Sequence, residues 1–274
     1  MDLLLLGKAA VLGTVEGLTE FLPVSSTGHL IVAGSLLDFN DEKGKVFEIV
    51  IQFAAILAVC WEYRAKVFSV VRGLPHDPAA RQFTVNLLVA FMPAAVLGLL
   101  LASRIKQHLF APVPVALAFI AGAFAILWIE RRRVPHELDS VDRMTWQLAL
   151  KVGFCQALAL IPGMSRSGAT IMGGLYFGLS RTAATEFSFF LAIPTLFGAT
   201  LHELVKYHAL FHREDLGLFA VGSLFSFVFA FLTVRALLRF VSHHRFTVFA
   251  GYRILFGALV LVSSALGWVD WPAE

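Results

Sequence analysis

Between Glu16 and His29 the chain reads Glu-Gly-Leu-Thr-Glu-Phe-Leu-Pro-Val-Ser-Ser-Thr-Gly-His, which places two carboxylates, a run of three hydroxyls and an imidazole in one short stretch. A second polar knot follows in the other half, Pro162-Gly-Met-Ser165-Arg166-Ser167-Gly-Ala-Thr170. Both interrupt apolar surroundings, where each polar group left without compensation costs several kcal/mol. Ionisable residues at membrane depth point by default to a functional site.

Glu16 and Glu20 are four apart and share one helix face. Such a pair can hold a divalent cation whose shell is completed by water and phosphate oxygens. Alternatively, one acid serves as general base or orients a histidine, and the plain reading is a partner for Lys or Arg inside a bundle. Ser25, Ser26 and Thr27 follow a proline, and can cap the next helix or offer hydroxyl and N–H donors to an anion. His29 could be a satisfied core histidine, but next to hydroxyls and carboxylates the catalytic reading is favoured. Arg166 cannot shed its proton, so at this depth it needs an anion, and its fork matches phosphate. Ser165, Ser167 and Thr170 surround it with further donors. One arginine, many hydroxyls, helix N-termini, an acid pair and one histidine are the parts of phosphoryl transfer: charge neutralisation, a base and a nucleophile. Ser26 and His29 both remain open as the nucleophile, with Glu20 and Arg166 as the other catalytic residues.

These knots need a scaffold. Of 274 residues, 58% are hydrophobic and 15% charged, against about 25% charged in ordinary soluble domains. The mean hydropathy of +0.77 agrees. At about 20 residues per span there is room for six to eight hydrophobic segments and no soluble domain. The net charge of +3 reads as loop charge facing anionic headgroups, not as a nucleic-acid surface. Cys60 and Cys155 lie in apolar runs and read as small hydrophobes. Asp2 stands where a signal peptide would carry a basic residue.

Leu3–Val15 and Leu30–Leu37 are too short to span a bilayer and flank the first knot. Trp146–Ile161 and Ile171–Leu179 do the same for the second. Short helices joined by a polar break have the pattern of a re-entrant hairpin. Full spans are expected at Val46–Tyr63, Phe83–Ala102, Val113–Ile129, Glu186–Leu201, Leu216–Leu238 and Thr247–Trp268. At an offset of 140, Gly13, Leu18, Ser25, Gly28 and Ile31 fall on Gly153, Leu158, Ser165, Gly168 and Ile171.

Three crossings per half is an odd number, so the expected fold is an all-α polytopic membrane protein. It has six transmembrane helices plus two re-entrant hairpins in an inverted-topology repeat. The whole chain, 1–274, is one membrane domain: repeat one over about 1–129, a cytoplasmic loop at 130–145, and repeat two over about 146–268. Arginine placement puts loops 64–82, 130–145 and 239–246 in the cytoplasm, and 103–112, 202–215 and both termini outside. The first hairpin then opens outward and the two knots meet near the midplane.

The Glu16-x-x-x-Glu20 segment with Pro-Val-Ser-Ser-Thr-Gly-His29, and the Pro162-Gly-x-Ser-Arg-Ser-Gly-x-Thr170 segment, resemble the two signature motifs of the bacterial undecaprenyl-pyrophosphate phosphatase (bacitracin-resistance protein) family. The likeness covers nearly the whole chain in motif order, spacing and length. It implies hydrolysis of a polyprenyl pyrophosphate lipid to the monophosphate in the bacterial inner membrane, recycling the carrier for cell-wall synthesis. It also implies a divalent cation, Mg or Ca, here on Glu16 and Glu20. Ser25, Thr27, Ser165, Arg166, Ser167 and Thr170 would bind phosphate. Membrane lipid is the surrounding partner, no nucleic acid is expected, and a homodimer is compatible with the sequence. The rival reading is an inverted-repeat secondary transporter or lipid flippase. An intramembrane serine protease fits less well, because it has no use for Arg166 or the acid pair.

Overall fold

The computed structural model describes residues 3–39, 42–132, 138–211 and 213–268. Asp2 and, within the loop 130–145, residues 133–137 lie outside the described residues. The first half holds α1 (Leu3–Thr19), α2 (Ser26–Leu36), α3 (Glu42–Glu62), α4 (Arg64–Gly73), α5 (Pro78–Leu109) and α6 (Pro112–Arg131). The second holds α7 (Trp146–Ala157), α8 (Arg166–Tyr176), α9 (Arg181–Lys206), α10 (Leu216–Val241) and α11 (Thr247–Ala265). The described residues contain no strand, only one isolated bridge between Leu138 and Leu179. Six helices, α3, α5, α6, α9, α10 and α11, are long and apolar enough to cross a membrane, so this is an all-α polytopic membrane protein. Most run a few residues past the apolar stretches, because polar residues at span ends extend helices into the interface. The amphipathic α4 is new: it falls within the stretch 64–82, which the sequence reading treats as a loop.

The three arginine-rich connections gather at one end. Lys66 pairs with Asp142, and Arg235 Nε lies 2.9 Å from Glu62. Glu130 accepts from Arg181 at 2.7 Å and from the Phe246 N–H at 2.9 Å. α1 and α2 form a helix–break–helix unit that returns to the opposite end, where Lys8 Nζ reaches the Asp38 carbonyl at 3.4 Å. α7 and α8 return to the arginine-rich end, where Leu138 exchanges backbone bonds with Gly178 and Ser180.

Each of these units leans on the middle span of the other half. α1 packs on α10, and α7 packs on α5. The repeated glycines explain how closely. A Cβ on Gly13 would run into the Gly222 carbonyl, and one on Gly153 into the Ala90 carbonyl. The sequence repeat therefore records matching helix crossings.

Candidate active site

The two breaks meet in the interior. Pro23 and Pro162 remove backbone donors and end α1 and the short turn after α7. Next, Ser25 (φ 70°) and Ser165 (φ 72°) take the left-handed region that side chains avoid, a strain of about 1–3 kcal/mol each that surrounding structure must hold. α2 and α8 begin immediately after them, so both helix N-termini point into the meeting place.

Glu20 bridges the two turns. One oxygen accepts from Ser26 Oγ at 2.6 Å and the other from Arg166 at 3.0 Å. Both charged side chains are nearly buried, at 5% and 10% exposed. Arg166 also donates to the Ser188 carbonyl at 3.0 Å, while its Nε has no partner among the described residues. A cavity of about 240 Å³ is lined here by Glu20, Ser25, Ser26, Thr27, Ser165 and Arg166, together with Gln52 and Gln156. Gln156 Nε2 is a further buried donor without a partner. Ser26, Thr27 and Gln52 also line a second cavity of about 290 Å³, with Glu16, Lys45, Glu48, Glu203 and Tyr207. Glu16 is fully buried and neither of its oxygens has a hydrogen-bond partner among the described residues.

Three predicted site residues lie elsewhere. Ser167 donates to the Leu22 carbonyl at 2.7 Å, stitching one turn to the other. Thr170 bonds to Ser188 Oγ at 2.6 Å and back to its own helix. Neither lines a cavity: both hydroxyls are spent on holding the turns. His29 corrects the expectation that it shares the cavity. One turn along α2 it faces the opposite way, with Nδ1 2.7 Å from the Ser25 carbonyl and Nε2 2.6 Å from Tyr252 Oη. The carbonyl can only accept, so Nδ1 carries the proton and Nε2 accepts from the tyrosine. Its ring stacks on Phe256 at 4.0 Å.

The sequence reading missed Arg253. Fully buried, it donates to the carbonyls of Phe119, Pro23, Ala118 and Gly163 at 3.0, 3.1, 3.1 and 2.9 Å. Pro23 belongs to the first turn and Gly163 to the second, so one guanidinium ties both to α6. Gly122 leaves the space, since any Cβ there would strike Arg253. An arginine inside an apolar span was the available signal.

Fold and interior together define a multi-pass membrane protein that keeps a charged, hydroxyl-rich cavity where its two halves meet. The chain belongs to the family of the bacitracin resistance protein BacA, whose model matches residues 9–259. It is 62% identical over 274 residues, the full length of both chains, to undecaprenyl-diphosphatase 2 of Rhodospirillum rubrum. It is 61% identical over 274 residues, again 100% of each, to undecaprenyl-diphosphatase of Dechloromonas aromatica. The protein of the same name from Nitrosospira multiformis is 61% identical over 271 residues, 99% of each.

Proposed function

We propose that this protein is an undecaprenyl-diphosphatase. It hydrolyses undecaprenyl pyrophosphate to undecaprenyl phosphate and inorganic phosphate, recycling the carrier lipid for peptidoglycan synthesis and giving bacitracin resistance. The names of its full-length relatives support this over the transporter reading. The observation that carries it is the Glu20 carboxylate held between the Ser26 hydroxyl and the Arg166 guanidinium.

Ser26 is the nucleophile that this geometry favours. Its Oγ attacks the terminal phosphorus while its proton passes to Glu20. The bond from that phosphorus to the bridging oxygen breaks, and the lipid monophosphate leaves with its negative charge. Water then attacks the phosphoserine: its hydroxyl joins the phosphorus and its remaining proton leaves with the released phosphate, while Glu20 returns its proton to the departing Ser26 oxygen and restores the hydroxyl. Arg166, the N–H groups that begin α2, and Gln156 neutralise or bind the phosphate oxygens. His29, with both nitrogens engaged, positions the Ser25 carbonyl instead of attacking.

A divalent cation fits beside Glu16. A buried carboxylate without partners is costly unless a positive charge joins it. Glu48 and Gln52 line the same cavity, whereas both Glu20 oxygens are already engaged. Among the described residues no group of three or more His, Cys, Asp or Glu forms a ready cage, which suits an ion that keeps waters and substrate oxygens. When bound, it would offset the charge of the diphosphate.

In this reading α1–α2 and α7–α8 are re-entrant hairpins in the bacterial inner membrane. The arginine-rich end faces the cytoplasm, and the cavity holding Lys45 and Tyr207 opens to the extracytoplasmic side. Purified protein in detergent should release phosphate from undecaprenyl pyrophosphate with Mg²⁺ or Ca²⁺ present. No release by the folded wild-type protein would overturn the reading.

A further inference from the structure

A third cavity, of about 290 Å³, lies behind the second turn, on the far side of α8 from Ser26, and no polar function above uses it. It is a crevice between α6 and α7 with α8 as its floor, running from Met164 and Arg253 to Trp128 and Tyr176. Three lining stripes show its direction. On α6, Ala125 and Ile129 line it, and the same face continues one turn on to Arg132. Cys155 on α7 and Leu158 just after it line it, and that face continues back along α7 to Lys151. On α8, Ala169, Met172 and Tyr176 complete the floor.

At the arginine-rich end the apolar walls thus finish in two cations laid on aromatic rings. The Arg132 guanidinium sits 4.8 Å from the Trp128 ring and 4.9 Å from the Tyr176 ring. Lys151 Nζ sits 5.3 Å from the Phe177 ring. Trp128 and Tyr176 themselves stack at 5.6 Å. Three other cations at this end are neutralised, Arg181 by Glu130, Lys66 by Asp142 and Arg235 by Glu62. Among the described residues neither Arg132 nor Lys151 has an ion pair, and no acid lines the crevice. Aromatic side chains mark headgroup level in a bilayer, and unpaired basic residues there recruit lipid phosphates.

We infer that this crevice is a binding site for an anionic phospholipid, with one acyl chain between α6 and α7 and the headgroup phosphate on Arg132 and Lys151. The charge selects against zwitterionic lipids, whose own amine offsets the phosphate. The occupied crevice backs Gly168 and Arg253, so the lipid props the second turn from behind.

The test uses full-length protein in phosphatidylcholine nanodiscs doped with phosphatidylglycerol or phosphatidylcholine carrying brominated acyl chains. Bromine quenches a nearby tryptophan, and the Trp128 signal is taken as the difference from a Trp128→Phe variant. Phosphatidylglycerol should quench Trp128 at a concentration on the order of tenfold lower than phosphatidylcholine. The Arg132→Ala/Lys151→Ala double variant should bring the two lipids to parity. Ala125→Leu, which fills the crevice, should weaken quenching by both. Phosphate release in detergent reports that each variant is folded, and it tests the phosphatase reading separately. Equal quenching of Trp128 by the two lipids in the wild type, or a preference that survives the double variant, overturns the proposal.

Discussion

The two turns are built to the same plan and used differently. Both follow a proline, both place a serine at positive φ, and both launch a short helix into the shared interior. In the second, Ser165 Oγ accepts from the Gly168 N–H at 3.1 Å and closes the start of α8. In the first, Ser25 makes no such bond, so the start of α2 keeps its N–H groups for something else. The second turn supplies the cation Arg166 and spends its hydroxyls on structure. The first joins Glu20 to the Ser26 hydroxyl, and its helix start carries no side-chain cap, leaving N–H groups that suit an anion. Two similar strained frames thus differ in finish: one is closed by its own serine and the other is left uncapped.

Five substitutions press on that contrast, beginning with the largest effect. Ser26→Ala removes the hydroxyl proposed as nucleophile and is expected to lower phosphate release on the order of 10³-fold or more. The measure is single-turnover phosphate release in detergent; near-normal turnover would return the nucleophile role to His29. Arg166→Lys replaces a fork with a point charge, and a loss of about 10²-fold is expected in the same assay. Glu16→Gln should shift the half-saturating Mg²⁺ or Ca²⁺ concentration upward by about tenfold, read from a cation titration of activity. An unchanged titration would place the ion elsewhere.

The smallest effects address stability. Ser165→Ala removes a cap and should cost about 1 kcal/mol in thermal unfolding followed in detergent. Ser25→Ala loses no cap bond and should cost less than about 0.5 kcal/mol. Equal costs would mean that the two turns do not differ as described.

Much of this was readable in the chain because lipid makes polar residues informative. The six spans followed from apolar length, and the breaks from Pro23 and Pro162. The pairing of Gly13 with Gly153 and of Ser25 with Ser165 anticipated shared crossings and shared turns. The association of Glu20, Ser26 and Arg166 was legible because such groups need one another in an apolar interior. Side-chain direction was not. Residue types alone do not say that His29 turns toward Tyr252, a partner 223 residues away, or that Ser167 and Thr170 bond to their own scaffold. Arg253 was hidden differently: its partners are backbone carbonyls, which carry no sequence signature.

That arginine bears on how the molecule can move. A carrier that alternates its access must part its halves at the cargo. Here three hydrogen bonds from one charged group reach across to the first half and a fourth holds the second turn of its own half, each worth about 1.5–3 kcal/mol. Such a knot suits a stationary machine, one whose proposed substrate brings its headgroup to a fixed interior.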